Sequence, residues 1–277
     1  MNFCSYFDYG YIVKALICYE TLKKHCSNLC FYVLCFDERT ENLMNGLDNV
    51  VTIKLDDVEK YYPELLEAKK TRQDREYYAT MSPILPLYIF DKYGVDLLYY
   101  TDADIGYFSS TKEIEDVFSN YSIMVTPHEN PDAFSAGKIN VGVLGYRNDD
   151  NCKEFLNWWK EKCLENCDWK VSKHGFADQG YLDIFYNDSN KFKNYFISDH
   201  CGINLAPWNV GMHSFKKKAN VFTVDNKNLI CYHFHRFDER NGRQLENTVW
   251  HIPTEVMNEV YMEYFELMMF IKGRYNL

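Results

Sequence analysis

Two aspartates one residue apart, Asp102 and Asp104, close the apolar stretch "LLYYTDADIGYF" (97–108). Carboxylates at the end of a buried strand are costly unless a cation neutralises them. Their oxygens suit a hard or borderline divalent ion, Mg²⁺ or Mn²⁺. Position excludes two other chemistries for this spacing. Phosphatases with an aspartyl nucleophile carry it after the first strand, whereas this pair follows the fourth. A calcium loop of the EF-hand type needs an oxygen donor and then glycine where the chain has Gly106 and Tyr107. A second charged feature is "KKTRQDREYY" (69–78), which gathers Lys69, Lys70, Arg72 and Arg75. It reads either as a solvated helix face or as a phosphate contact through Arg72 or Arg75, arginine being favoured for its bidentate geometry.

The flanking pattern predicts what must hold the aspartates. Segments 2–7, 29–36 and 50–55 read as strands; 11–25, a short stretch near 38–47 and 82–94 read as helices; the strand ending in Asp102 follows. Pro83 near the start and Gly94 at the stop mark the third helix. Such alternation predicts an α/β fold, with a mostly parallel sheet and helices on both faces. In open α/β sheets, ligands bind outside the carboxyl ends of the strands, where the aspartates lie. The second half is less regular. Strands are expected at 121–127 and 139–147, and helices at 151–166 and from 176. A strand "NLICYHFHRF" (228–237) would carry His233 and His235 on one face, and a closing helix spans 255–272. No repeat, linker or composition shift divides the 277 residues, so a single domain is expected, with a first half (1–108), a second half (109–252) and a C-terminal helix (253–277).

Bulk properties narrow the function classes. At 47% hydrophobic and 17% aromatic the chain can build a large core. A formal net charge of −10 argues against general nucleic-acid binding. The ten cysteines sit mostly among core-like residues, which points to reduced thiols in a cytoplasmic protein. Cys163 and Cys167, with only His174 near, fall short of a structural zinc set. Asn2, Tyr6 and Asp8 interrupt any signal-peptide pattern, and no apolar run reaches the length of about 18 residues that a membrane span needs.

Eight segments together resemble GT-A glycosyltransferases, in particular bacterial nucleotide-diphospho-sugar transferases of polysaccharide-assembly clusters. They are "FCSYFDYGYIVKALICYETLKKHC", "REYYATMSPILPLYIF", "LLYYTDADIGYF", "GKINVGVLGYRND", "WWKEKC", "FADQGYLD", "GINLAPWNV" and "CYHFHRF". The resemblance implies a GT-A-like, Rossmann-like mixed sheet and transfer of a sugar from a nucleoside diphosphate, with uridine diphosphate the first choice. It would make 1–108 the nucleotide-binding half and 109–252 the acceptor and sugar half. The acceptor would be a hydroxyl of a glycan or lipid-linked glycan. It implies Asp104 as direct ligand of Mn²⁺ or Mg²⁺, and Asp102 as contact to the donor or the metal. A late-strand histidine would complete the set, His235 being favoured over His233 as nearer the strand's end. Tyr6 would meet the base. Asp178 would serve as acceptor base or sugar contact, with Gln179 beside it at a helix start. Asn140 and Asn209 would bind sugar hydroxyls, and Trp208 would stack on a sugar face.

Two alternatives stand beside this reading. A sugar nucleotidyltransferase shares the α/β plan but usually carries a glycine-rich loop after the first strand, where "FDYGYIVKA" has one glycine. A catalytically silent sugar- or partner-binding protein would keep the fold alone. The closing helix carries Val256, Val260, Tyr264 and Leu267 on one face, widened by Met268, Phe270 and Ile271. Its polar face is acidic, which favours core packing or a homodimer interface over peripheral membrane docking.

Overall fold

The structure is a computed structural model, and it describes residues 1–129, 136–170, 176–219, 221–245 and 249–277. His174 lies outside the described residues. Two compact units interleave along the chain. The first comprises 1–9, 29–101 and 118–198; the second comprises 10–28, 102–117 and 199–277.

In chain order the strands are β1 (Asn2–Phe7), β2 (Cys30–Cys35), β3 (Val50–Lys54), β4 (Leu97–Thr101), β5 (Ile105–Tyr107), β6 (Ile123–Pro127), β7 (Ile139–Arg147) and β8 (Tyr195–Ile197). β9 (Phe215–Lys218), β10 (Val221–Val224), β11 (Lys227–Asn228) and β12 (Cys231–His233) follow. The first unit is built on one seven-stranded sheet in the order β3-β2-β1-β4-β7-β6-β8. β3, β2, β1 and β4 run parallel, β7 is antiparallel to both of its neighbours, and β8 pairs parallel with β6. The expected mixed, mostly parallel sheet is therefore present. β2 and β7 are buried on both faces, which explains their continuous apolar sequences.

The helices α1 (Ile12–His25), α2 (Glu38–Met44), α3 (Leu55–Tyr61), α4 (Leu65–Thr71), α5 (Asp74–Ala79), α6 (Met81–Tyr93), α7 (Lys112–Phe118) and α8 (Asp150–Glu165) fill the connections. The polar stretch before residue 82 thus folds as three short helices that periodicity did not reveal. Each is too short to display a full apolar stripe. α6 is apolar on nearly every side and is almost wholly buried, with Gly94 in the left-handed conformation at its end. It joins α8 in a core cluster that includes Cys4, Leu34, Tyr100, Leu144 and the fully buried Trp159.

The second unit contains α1, β5 and the later strands. β9, β10 and β11 form an antiparallel meander, and β12 pairs antiparallel with β5. Where one strand was expected over 228–237, the chain forms the short pieces Lys227–Asn228, Cys231–His233 and Phe237–Asp238, and Arg236 has a left-handed φ of 56°. The expected helix from 176 is a 3₁₀ turn, Gln179–Asp183, followed by one α-helical turn, Ile184–Asn187. The closing helix includes a π-helical stretch, Met257–Tyr261, before the α-helix Met262–Tyr275. Val256, Val260, Tyr264, Met268 and Ile271 are buried, Leu267 is half-buried, and Phe270 points to solvent at 60% exposure. This helix packs on α1. Among the described residues no helix is long and apolar enough to cross a membrane.

Candidate active site

The chain leaves β4 at Thr101, and Asp102 begins the second unit. Asp102 to Ile105 is a tight turn, closed by the Ile105 N–H donating to the Asp102 carbonyl at 3.3 Å. β5 then pairs with β12 so that Ile105 faces His233 and Gly106 faces Tyr232. That register brings His233 beside Asp104. The Phe234 N–H donates to the Asp104 carbonyl at 2.9 Å, and the His233 N–H to the Leu205 carbonyl at 2.7 Å. Gly106 has a steric reason. A Cβ there would stand 3.1 Å from Phe234 and 3.3 Å from Tyr264, whose rings stack at 3.6 Å.

His233 Nε2 lies 3.1 Å from Asp104 Oδ1 and 3.7 Å from Asp102 Oδ2. Asp104, His233 and His235 each present a donor atom within 4.8 Å of the others. Asp104 and His233 are buried, whereas Asp102 is half-buried and His235 is exposed. Burial by itself would raise the Asp104 carboxyl, but the charge and hydrogen bond of His233, with Lys14 behind it, hold it well below the usual range. Burial likewise disfavours charge on His233, yet Asp104 and then Asp102 raise its pKa. His235 is pushed down to about 4, first by desolvation and next by the charge of His233. At neutral pH His235 is therefore a neutral imidazole with a lone pair to offer.

Aromatic rings hold both histidines. Trp208 meets His233 at 5.2 Å and His235 at 5.8 Å between ring centres, and Trp250 meets His235 at 5.7 Å. His233 Nδ1 is buried with no hydrogen-bond partner among the described residues, so packing sets the ring's orientation. Asn209 stands next to Trp208, with its carboxamide oxygen accepting from the Ala206 N–H at 2.8 Å. One carboxylate and two imidazoles suit a borderline divalent ion better than an all-oxygen site would. The favoured His235 belongs to this group, and His233 makes the shorter contact. Lys14 and Trp250 were not anticipated. Nothing local to their sequence marks them, since Lys14 acts on Asp104, and Trp250 meets the His235 ring, only through the fold of the unit.

The remaining expected residues lie in the first unit. Tyr6 Oη is 2.8 Å from Ser82 Oγ, and Ser82 donates to Asp178 Oδ2 at 2.5 Å. The carbonyl of buried Asp178 accepts from Trp159 Nε1 at 3.0 Å. Gln179 Oε1 accepts from Asn140 Nδ2 at 3.0 Å and from the Val141 N–H at 3.1 Å, while its Nε2 donates to the Ala136 carbonyl. Asn140 Oδ1 in turn accepts from the Gly142 N–H at 2.8 Å. Asn140 and Gln179 thus anchor the start of β7 to one another. Arg72 donates to Thr80 Oγ1 at 2.5 Å and to the Leu164 carbonyl at 2.6 Å, which ties α5 to the end of α8. Arg75 is exposed and lies over the Trp169 ring at 5.2 Å. Lys69 and Lys70 pair with Glu59 and Glu67.

The fold defined by this sheet order is that of GT-A glycosyltransferases, as the sequence resemblance implied. Among solved structures, the galactosyltransferase LgtC superposes with a TM-score of 0.62 at 14% identity, covering 97% of this chain and 95% of its own. Mouse xyloside xylosyltransferase 1 gives 0.54 at 12% identity, over 91% of this chain and all of that one. By sequence, the uncharacterized protein YfnF of Bacillus subtilis (strain 168) is 28% identical over 84% of this chain and 80% of its own. No protein-family profile matches the chain.

Proposed function

We propose that this chain is a metal-dependent glycosyltransferase that moves a sugar from a nucleoside diphosphate, uridine diphosphate first, to a hydroxyl of a glycan or lipid-linked glycan. The observation that carries the reading is the Asp104–His233–His235 group, built directly after the fourth strand of a glycosyltransferase fold. A bound Mn²⁺ or Mg²⁺ would stabilise the negative charge that the nucleoside diphosphate gains as the sugar–phosphate bond breaks. Asp104 and the two histidines would hold that ion, with Asp102 at its edge. Lys14, whose charge already reaches Asp104, would add to the positive field. Trp208 packs on both imidazoles and would help to fix their orientation. In the first unit Asp178, positioned by Ser82, is the proposed sugar or acceptor contact; Asn140 and Gln179 support it. Tyr6 and exposed Arg75 are the proposed nucleotide contacts. The acidic polar face of the closing helix disfavours peripheral membrane docking, and contact with a lipid-linked acceptor would come through other surfaces.

The test is product release from a panel of nucleotide sugars. Nucleoside diphosphate should appear with Mn²⁺, disappear on chelation and return when the metal is restored. Consumption of nucleoside triphosphate with release of pyrophosphate would favour the nucleotidyltransferase reading instead. Failure to turn over or bind any nucleotide sugar would overturn the proposal and leave a silent binding protein.

A further inference from the structure

A second group of possible metal ligands lies elsewhere in the second unit. Cys201, His213 and Asp225 each place a donor atom within 4.8 Å of the others. They come from three separate stretches, and local structure fixes each one. Gly202 holds the Cys201 stretch against β11, because a Cβ at residue 202 would fall 1.9 Å from the Asn228 carbonyl oxygen. The Gly202 carbonyl also accepts from the Ile230 and Cys231 N–H groups at 2.8 and 3.1 Å. His213 ends a short 3₁₀ turn, Val210–Met212. Asp225 and Asn226 are the two central residues of the β10–β11 hairpin, with φ of 48° and 66°. Asp225 is well suited there, since a two-residue hairpin turn of this hand favours Asn, Asp and Gly.

Side-chain contacts already join the three. His213 Nδ1 lies 2.7 Å from Asp225 Oδ2, and the Ser214 N–H donates to Asp225 Oδ1 at 2.8 Å. Cys201 Sγ donates to the Val224 carbonyl, one residue before Asp225, at 3.2 Å. A thiol, an imidazole and a carboxylate converging from three stretches make a mixed sulfur, nitrogen and oxygen donor set.

We propose that Cys201, His213 and Asp225 bind a zinc-class divalent ion that staples the second unit. The thiolate selects this class over Mg²⁺ and Mn²⁺, which favour oxygen. Three protein ligands leave solvent as the fourth, and the Cys201 thiol proton is released to solvent as the ion binds. Cys201 and His213 bracket residues 202–212. That stretch contains Leu205, whose carbonyl receives the His233 N–H, and Trp208, which packs on His233 and His235. The ion would therefore act on the Asp104 group as a positioning device, holding the stretch that shapes it.

Two measurements on the full, reduced, metal-stripped chain test this. In the first, Zn²⁺ is added and alkylation of each cysteine by iodoacetamide is followed by mass spectrometry. Zn²⁺ should slow labelling at Cys201 and leave Cys30, the other half-exposed cysteine, unchanged as an internal control. An unchanged rate at Cys201 would overturn the proposal without any mutation. In the second, Co²⁺ replaces zinc and the near-ultraviolet thiolate-to-cobalt charge-transfer band is recorded. The band should appear in the native chain, persist in Asp104→Asn, weaken in His213→Gln and Asp225→Asn, and vanish in Cys201→Ser. Its absence from the native chain, or survival in Cys201→Ser, would count against the site. Neither readout depends on transferase activity.

Discussion

Asp104 is the residue whose chemistry bears most directly on the proposed reaction. It is buried, and its carboxylate is kept ionised by a histidine 3.1 Å away. Asp104→Asn keeps the side chain's shape and removes the charge that a metal needs. Metal-dependent turnover should fall at least about a hundredfold, the scale of losing one electrostatic stabiliser of a transition state. Calorimetric Mn²⁺ titration should show matching loss of binding while the far-ultraviolet circular dichroism is retained. Unchanged turnover would reduce the aspartate pair to a turn. The two histidines separate in the same assay. His233→Gln should weaken Mn²⁺ binding more than His235→Gln, because His233 is buried against both aspartates whereas His235 is exposed. The reverse order would make His235 the principal ligand.

Individual elements carry their own tests. α2 begins at Asp37, which accepts the Thr40 N–H and hydroxyl and also the Tyr9 N–H. Partial burial works against its charge, but the Thr40 and Tyr9 N–H groups prevail and lower its pKa. Asp37→Ala should cost about 1–2 kcal/mol at pH 7, read by urea denaturation. Because the folded pKa is the lower one, this contribution is present above the unfolded value of about 3.9 and fades as pH falls through the folded pKa. The gap between native and variant chains should therefore close in acid. A gap that stays constant with pH would mean the carboxylate's charge is irrelevant. Gly106 tests the β5–β12 ladder. Gly106→Ala presses on Phe234 and Tyr264 and should cost about 1–3 kcal/mol. It should also weaken metal binding, since Phe234 separates the two histidines. A variant as stable as the native chain would show that the two rings yield freely.

Across the whole molecule, eight of the ten cysteines are buried, and Cys30 and Cys201 are half-buried. Burial raises the Cys4, Cys152 and Cys163 thiols well above their ordinary value and pushes Cys231 up to about 12. Thiol titration of the native chain should therefore show a fast phase of at most two groups, with the rest reacting only in denaturant. A larger fast phase would contradict the core arrangement. The placement of cysteines among apolar residues made this legible from sequence.

The sequence by itself determined the sheet strands 1–4, the helices α1, α2 and α6 beside them and the exit of Asp102 and Asp104 from an apolar strand. These follow from local periodicity and from the cost of burying carboxylates, and neither depends on distant residues. Tertiary structure alone decided which histidine stands nearest Asp104. Alternation along an expected strand placed His233 and His235 on one face, but pairing of Ile105 with His233 and the left-handed conformation at Arg236 set their actual distances. It also decided that Arg72, Asn140 and Gln179 hold the first unit together, because Arg72 meets the Leu164 carbonyl, Asn140 meets Gln179 and Gln179 meets the Ala136 carbonyl only after folding. Cys201, His213 and Asp225 carry no recognisable spacing in the chain. Their meeting is a product of a glycine that permits close approach and a hairpin that turns back on it. Contacts between residues far apart in sequence leave no periodic trace, and so the assembled sites, unlike the strands, had to be read from the fold.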